Sequence, residues 1–140
     1  MSPEQIHLVQ ASFARLAGNA DGVADAFYTR LFEIDPALRH LFRSDLAGQR
    51  RRLMQMLATA VGGLDDVAAL LPAVTALGAL HAGYGVRDAH YASVGRALID
   101  TLRAGLGEAF TPALEGAWTA VYTVLAGAMQ AGAIVHPATA

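Results

Sequence analysis

Apolar residues in this chain recur at steps of three and four, the spacing that stacks side chains along one face of an α-helix. Sustained alternation of period two is absent, as are internal repeats and Asn-Gly or Asp-Gly turns between strand-like runs. The first stripe is Ile6, Val9, Phe13 and Leu16. It follows Ser2-Pro3-Glu4-Gln5, which reads as an N-cap serine, a first-turn proline and the glutamine of a capping box. Gly18-Asn19-Ala20-Asp21-Gly22 breaks the pattern, and Val23, Phe27 and Leu31 carry a second helix. Asp35-Pro36 opens a short helical turn ending near His40-Leu41-Phe42. A third stripe, Gln49, Leu53, Leu57, Ala60 and Leu64, is closed by Gly62-Gly63 and Asp65-Asp66.

Pro72 marks a kink or a new start, after which Val74, Leu77 and His81 fall nearly in line. Gly83 and Gly85 stop that helix, and Asp88 is positioned to cap the next, with Tyr91, Val94, Leu98 and Leu102 inward. Gly105-Leu106-Gly107 closes it; Thr111-Pro112 starts a last helix bearing Leu114, Trp118, Val121, Leu125 and Met129. The expectation is an all-α protein of about seven helices, with one domain over 1–132 and a loose tail over 133–140.

Composition supports a packed domain: 140 residues, 54% hydrophobic and 16% charged, give enough apolar material for a core. Gly, Asp, Gln or Pro interrupts the apolar stretches before they reach the roughly 20 residues of a membrane span. The amino terminus shows no basic segment followed by an apolar run, so a cytoplasmic protein without a membrane partner is expected. The absence of cysteine excludes disulfides, thiolate-ligated haem, cysteine zinc sites and iron–sulfur clusters. A net charge of −2 predicts no general attraction to nucleic acid.

Polar side chains on otherwise apolar faces carry the information, because burial without a partner costs free energy. Tyr28, Gln49, His81 and Tyr91 are four such residues. An inward histidine, taken alone, reads first as a core residue with a hydrogen-bond partner, yet the helix of His81 offers no acid nearby. As a haem ligand it would be satisfied on both sides, one ring nitrogen on iron and the other donating to a carbonyl one turn earlier, near Leu77. Tyr28 alone reads as a buried phenol on some carbonyl, Gln49 as a helix-edge residue, and Tyr91 as a core or corner residue. In the run Arg50-Arg51-Arg52, the first two point away from the stripe, while Arg52 sits on its flank, within reach of a haem propionate. His7, His40, His90 and His136 are expected to face solvent. GxGxxG, Walker A, HExxH and GxSxG motifs are missing, and no placed acid or oxyanion site supports a hydrolase around His90 and Ser93.

Five segments together, FYTRLFEIDPALRHLF, QRRRLMQML, LGALHAGYGVRDAHYASVGRAL, LGEAFTPALEGAW and AVYTVLAGAMQ, resemble the globins. The likeness is to bacterial single-domain globins, the globin domain of flavohaemoglobins and the neuroglobin-like branch, and it runs from about Gln5 to Met129. It implies a three-over-three helical fold around haem b (iron protoporphyrin IX), with His81 as the proximal iron ligand. It also implies Tyr28 and Gln49 as the distal pair, Phe42 against the haem face, Leu53 bounding the ligand cavity and Arg52 on a propionate. Leu77, Val86, Tyr91 and Val94 are implied as further pocket residues.

Three departures shape the function that the resemblance implies. The chain stops after the last globin helix, so the flavin and nicotinamide domains of flavohaemoglobins are not expected, and re-reduction would fall to a separate reductase. Ala133 stands where flavohaemoglobins carry a glutamate, so His81 should be less imidazolate-like and the electron push towards O–O cleavage weaker. Gln49 replaces the distal histidine of neuroglobins, so five-coordinate iron is expected. The first implied function is reversible binding of O₂, with NO and other small gases as further ligands. The second is oxidation of NO to nitrate by O₂ with an external reductase; the third is a gas sensor, for which no output domain or long signalling helix is visible. A haemless bundle of globin shape is the bland alternative.

Overall fold

In a computed structural model the described residues are 1–41, 46–83 and 86–135; of 41, 46, 82, 83 and 133–135 only the backbone is described. The α-helices are α1 (Pro3–Leu16), α2 (Ala20–Ile34), α3 (Leu46–Gly62), α4 (Val67–Gly83), α5 (Asp88–Leu106) and α6 (Pro112–Val135). Short 3₁₀ turns fill Ala17–Asn19, Pro36–Leu41, Leu64–Asp66 and Gly107–Ala109. Six α-helices are present among the described residues against about seven expected; the short turn read at Asp35-Pro36 is the 3₁₀ segment Pro36–Leu41. The backbone of α6 continues through Val135, so the first three residues of the expected tail are helical.

The sequence signals at the termini act as physical caps. Ser2 Oγ accepts from the Gln5 N–H at 3.1 Å, and Gln5 Oε1 accepts from the Ser2 N–H at 3.0 Å, a complete capping box. Thr111 Oγ1 accepts from the Leu114 N–H at 3.2 Å and starts α6 in the same way. Two expectations are corrected. Of the two readings of Pro72, the new start is excluded, since the proline sits inside the continuous α4. It stands early in that helix, where its missing N–H removes one hydrogen bond that neighbouring packing can offset. The α5 N-cap is Arg87 rather than Asp88, and the ring Nδ1 of His90 accepts from the Arg87 N–H at 2.9 Å. His90 therefore caps a helix and is not a bystander in solvent.

α1, α3 and α4 lie over α2, α5 and α6, the main contacts being α4 on α6, α2 on α5, α1 on α6 and α2 on α3. Stripes of α1, α2, α5 and α6 meet in one core cluster that includes Val9, Phe27, Leu31, Leu98, Leu102, Leu114, Val121 and Trp118. Trp118 is only 1% exposed, and its indole N–H donates to Ser12 Oγ at 2.9 Å while that hydroxyl donates to the Val9 carbonyl at 2.9 Å. The chain thus satisfies the one polar atom of its largest core side chain across a separation of 106 residues.

The α4–α6 crossing sets the position of His81. A Cβ at Gly78 would overlap the Met129 backbone, and one at Gly132 would overlap the Thr75 carbonyl. The two helices therefore meet backbone to backbone, with glycine on each side of the crossing. One turn beyond it, α4 carries His81.

Candidate functional site

The proximal side of the site is built by α4 and the link that follows it. His81 Nδ1 lies 2.8 Å from the Leu77 carbonyl oxygen one turn earlier. A carbonyl can only accept, so Nδ1 carries a proton, and in the neutral ring Nε2 is the nitrogen with the lone pair. The Val86 N–H donates to the His81 carbonyl at 3.0 Å, which ties Val86 to the end of α4. His81 is half-buried, as are Leu77 and Val86.

α4 carries more apolar surface than the protein covers. Over Leu64–His81 the mean hydropathy is 1.3 and only 17% of the residues are buried. By length and composition this segment could cross a membrane, against the expectation from its interruptions; in the fold it packs on α6. Leu80, on the same helix, is 57% exposed. On other elements Leu53 and Leu57 of α3 and Val94 of α5, which lie on apolar stripes, are half-buried and pack against the core cluster.

The distal polar residues are brought together by α2 and α3. Tyr28 is 4% exposed, with Phe27 edge-on at 5.1 Å and Phe32 at 6.0 Å between ring centroids. Its side chain hydrogen-bonds that of Gln49. Burial raises the pKa of the Tyr28 phenol, against smaller opposing contributions from the Gln49 hydrogen bond and from Arg52 and Arg50. The hydroxyl therefore remains a proton donor at any physiological pH. Arg52 Nη2 donates to Gln49 Oε1 at 2.9 Å.

Arg50 departs from the sequence reading. It bends over α2 instead of pointing into solvent, placing Nη2 3.1 Å from Asp25 Oδ1, and its side chain is 32% exposed. Its Nε is buried without a hydrogen-bond partner among the described residues. Arg51 is exposed, as read.

Tyr91 enters the structure as a corner of the α5–α6 contact. It is buried near the start of α5, and its carbonyl accepts from the Tyr122 hydroxyl at 2.6 Å. Desolvation raises the pKa of both phenols, with Asp88 adding to the effect at Tyr91. The Tyr122 ring lies where a Cβ on Gly95 would fall, so the glycine of the HYxxVG motif makes room for that ring. Tyr122 was not singled out from the sequence; its place one turn after Trp118 on a buried stripe is the signal that could have found it. Phe42 lies outside the described residues, as does the side chain of Ala133.

The family model for globins, described as "Globin", matches residues 25–129. This chain is a globin. A flavohemoprotein of Bordetella parapertussis is 39% identical over 132 residues, covering 90% of this globin and 32% of the relative. The chain thus spans about a third of the flavohemoproteins it matches. The neuroglobin of Dissostichus mawsoni is 29% identical over 146 residues, covering 94% of this globin and 92% of the relative. Among solved structures, an engineered carbene transferase built on a Rhodothermus marinus protein assigned as a nitric oxide dioxygenase superposes with a TM-score of 0.80. It is 30% identical, and the match covers 91% of this globin and 89% of that chain.

Membership implies haem and a gas ligand, and the donor set fits that group. His81 holds Nδ1 on the Leu77 carbonyl, which leaves Nε2 as its ligating nitrogen on an apolar helix. Among the described residues no three His, Cys, Asp or Glu side chains gather to cage a bare ion. A single neutral donor suits a metal whose other ligands arrive with it, as the porphyrin supplies four.

Proposed function

We propose that this globin holds haem b through His81 Nε2 and binds O₂ reversibly at a five-coordinate iron, with NO as a further ligand. The observation that supports this most directly is the fixed tautomer of His81, whose Nδ1–H is committed to the Leu77 carbonyl. Ferrous haem, when bound, supplies an open axial position that accepts O₂, NO or CO and places partial negative charge on O₂. Leu77, Val86, Leu53 and Val94 would supply apolar wall to the macrocycle, with Phe42 proposed as a further haem contact. Arg52, with guanidinium donors beyond the one on Gln49, would hold a propionate. Gln49 has no basic nitrogen and leaves the sixth position to the gas.

Tyr28 and Gln49 set which gas is retained. Both donate, so they hold a ligand with negative charge better than neutral CO. A hydrogen bond to a charged acceptor contributes roughly 1.5–3 kcal/mol, so Tyr28→Phe is expected to speed O₂ release about tenfold to a hundredfold. Stopped-flow release from the oxygenated protein measures this, and an unchanged rate removes Tyr28 from the distal role. Absorption spectra after haem supplementation test the larger reading: a Soret band with five-coordinate ferrous features is expected, and no band establishes a haemless bundle.

A second reading, oxidation of NO to nitrate, is favoured by the likeness to flavohemoproteins and to the Rhodothermus protein. It needs reducing equivalents from a separate reductase. Sustained nitrate output is expected only when that reductase is present; output that ends after one turnover, with the reductase present and active, leaves gas binding as the function.

A further inference from the structure

We infer that His90 is a positioning residue for the proximal ligand: its ring fixes the start of α5 and, through Val86, the end of α4 that carries His81. This rests on the reading of His81 as the haem ligand. The His81 carbonyl belongs to the last turn of α4, where carbonyls have no partner within the helix, and it accepts from the Val86 N–H at 3.0 Å. Arg87 comes next and is the N-cap of α5. A guanidinium cannot accept, so the Arg87 side chain offers nothing to the N–H groups of the turn it opens. His90 closes on both main-chain groups of Arg87 instead. Its ring Nδ1 accepts from the Arg87 N–H at 2.9 Å, and its own N–H donates to the Arg87 carbonyl at 2.9 Å.

The bonds at Val86 and Arg87 act on consecutive peptide planes. The Val86 N–H lies in the plane that enters Val86 and the Arg87 N–H in the plane that leaves it, and each plane is rigid. One plane is held by the end of α4 and the other by the His90 ring, so both dihedrals of Val86 are constrained. Without the ring, the second plane turns freely and the bond on the His81 carbonyl loses its support from α5. Val86 is itself half-buried and proposed for the haem wall. The chain contains the same device elsewhere: at the third position of α1, Gln5 Oε1 accepts from the Ser2 N–H at 3.0 Å. Ring nitrogen and amide oxygen do one job at two helix starts, and the one at α5 stands beside the proximal residue.

The test reads the iron–histidine stretch of the ferrous, ligand-free protein by resonance Raman, with haem release to excess apomyoglobin alongside. His90→Ala should lower and broaden the band as His81 samples more than one tilt. It should also speed haem release about threefold to tenfold, the scale of one lost helix cap. His90→Gln returns an acceptor to the same position and should keep the wild-type band and rate. Gln5→Ala removes the matching cap from α1; it should lower the melting temperature by a similar amount and leave the band unmoved. Wild-type band and release in His90→Ala overturn the inference, as does a His90→Gln variant as impaired as His90→Ala, or an equal band shift in Gln5→Ala. His81→Ala, run in the same series, separates the failures: if it abolishes the band while His90→Ala leaves it unchanged, only the role of His90 falls. If the wild type shows no such band, or His81→Ala keeps it, the proximal assignment falls as well.

Discussion

His81→Ala is expected to come off the column without most of its haem, and the haem that remains should lack the five-coordinate ferrous spectrum. The imidazole is the only protein ligand that the proposed site supplies to iron, and its second nitrogen is already held by the Leu77 carbonyl at 2.8 Å. Alanine removes the metal bond and the ring's hydrogen bond to that carbonyl, which keeps the backbone N–H of residue 81 within α4. Apolar contacts from Leu77, Val86 and Val94 would still attract a porphyrin, so weak residual binding is expected, with no axial signature. Imidazole added to the variant should restore part of the spectrum, because the space vacated by the ring admits it. Haem binds only the folded chain in this scheme, so the variant should also melt at lower temperature by the linkage of binding to folding. Absorption of the purified protein, with haem content measured against protein, decides the matter. A variant that stays coloured with unchanged bands assigns the axial position to another side chain.

How far such a site can be read before the fold is known depends on whether its parts are local. The capping box at Ser2, the turn at Asp35-Pro36 and the start at Thr111 are short-range devices, and each forms between residues two to four apart. The hydrogen bond from His81 to Leu77 likewise spans one helical turn, and reading His81 as a haem ligand pointed to it from the sequence. Tyr28 and Gln49 sit on different helices, and it was the family resemblance, not the periodicity, that coupled them. What stayed hidden spans long separations or depends on backbone approach. Nothing near Ser12 indicates that its hydroxyl will receive the Trp118 indole from α6. Nothing in the Arg50-Arg51-Arg52 run tells which guanidinium folds over Asp25 and which meets Gln49. His90 was misread because helix capping by a histidine ring is less common than capping by the Asp88 beside it.

Gly78 and Gly132 are the positions where a single methyl group is expected to cost most. Both are interior to helices, where glycine is ordinarily inferior to alanine by roughly 0.5–1 kcal/mol. Propensity therefore favours Gly78→Ala and Gly132→Ala, and packing opposes them. The added carbon meets backbone, the Met129 carbonyl in one case and the Thr75 carbonyl in the other, and no rotamer change relieves that overlap. The helices must separate instead. Overpacking costs typically 1–3 kcal/mol when side chains can adjust, so a clash of main chain with main chain should sit at or above the top of that range. For a domain of this size that corresponds to a fall in Tm on the order of 10 °C.

Gly127 supplies the control on the same helix, because a Cβ there meets nothing within 4 Å. Gly127→Ala should stabilise the protein by about 0.5–1 kcal/mol. The sign of the effect thus reverses within α6 between Gly127 and Gly132. Gly78→Ala carries a further consequence, since it displaces α4 three residues before His81. Haem affinity should fall more in that variant than the loss of stability accounts for, whereas Gly127→Ala should leave it unchanged. Thermal melts of the three variants with haem titrations alongside read both quantities. Equal tolerance of alanine at Gly78 and Gly127 would mean that α4 and α6 stand further apart than described and that the crossing does not set the height of His81 in the pocket.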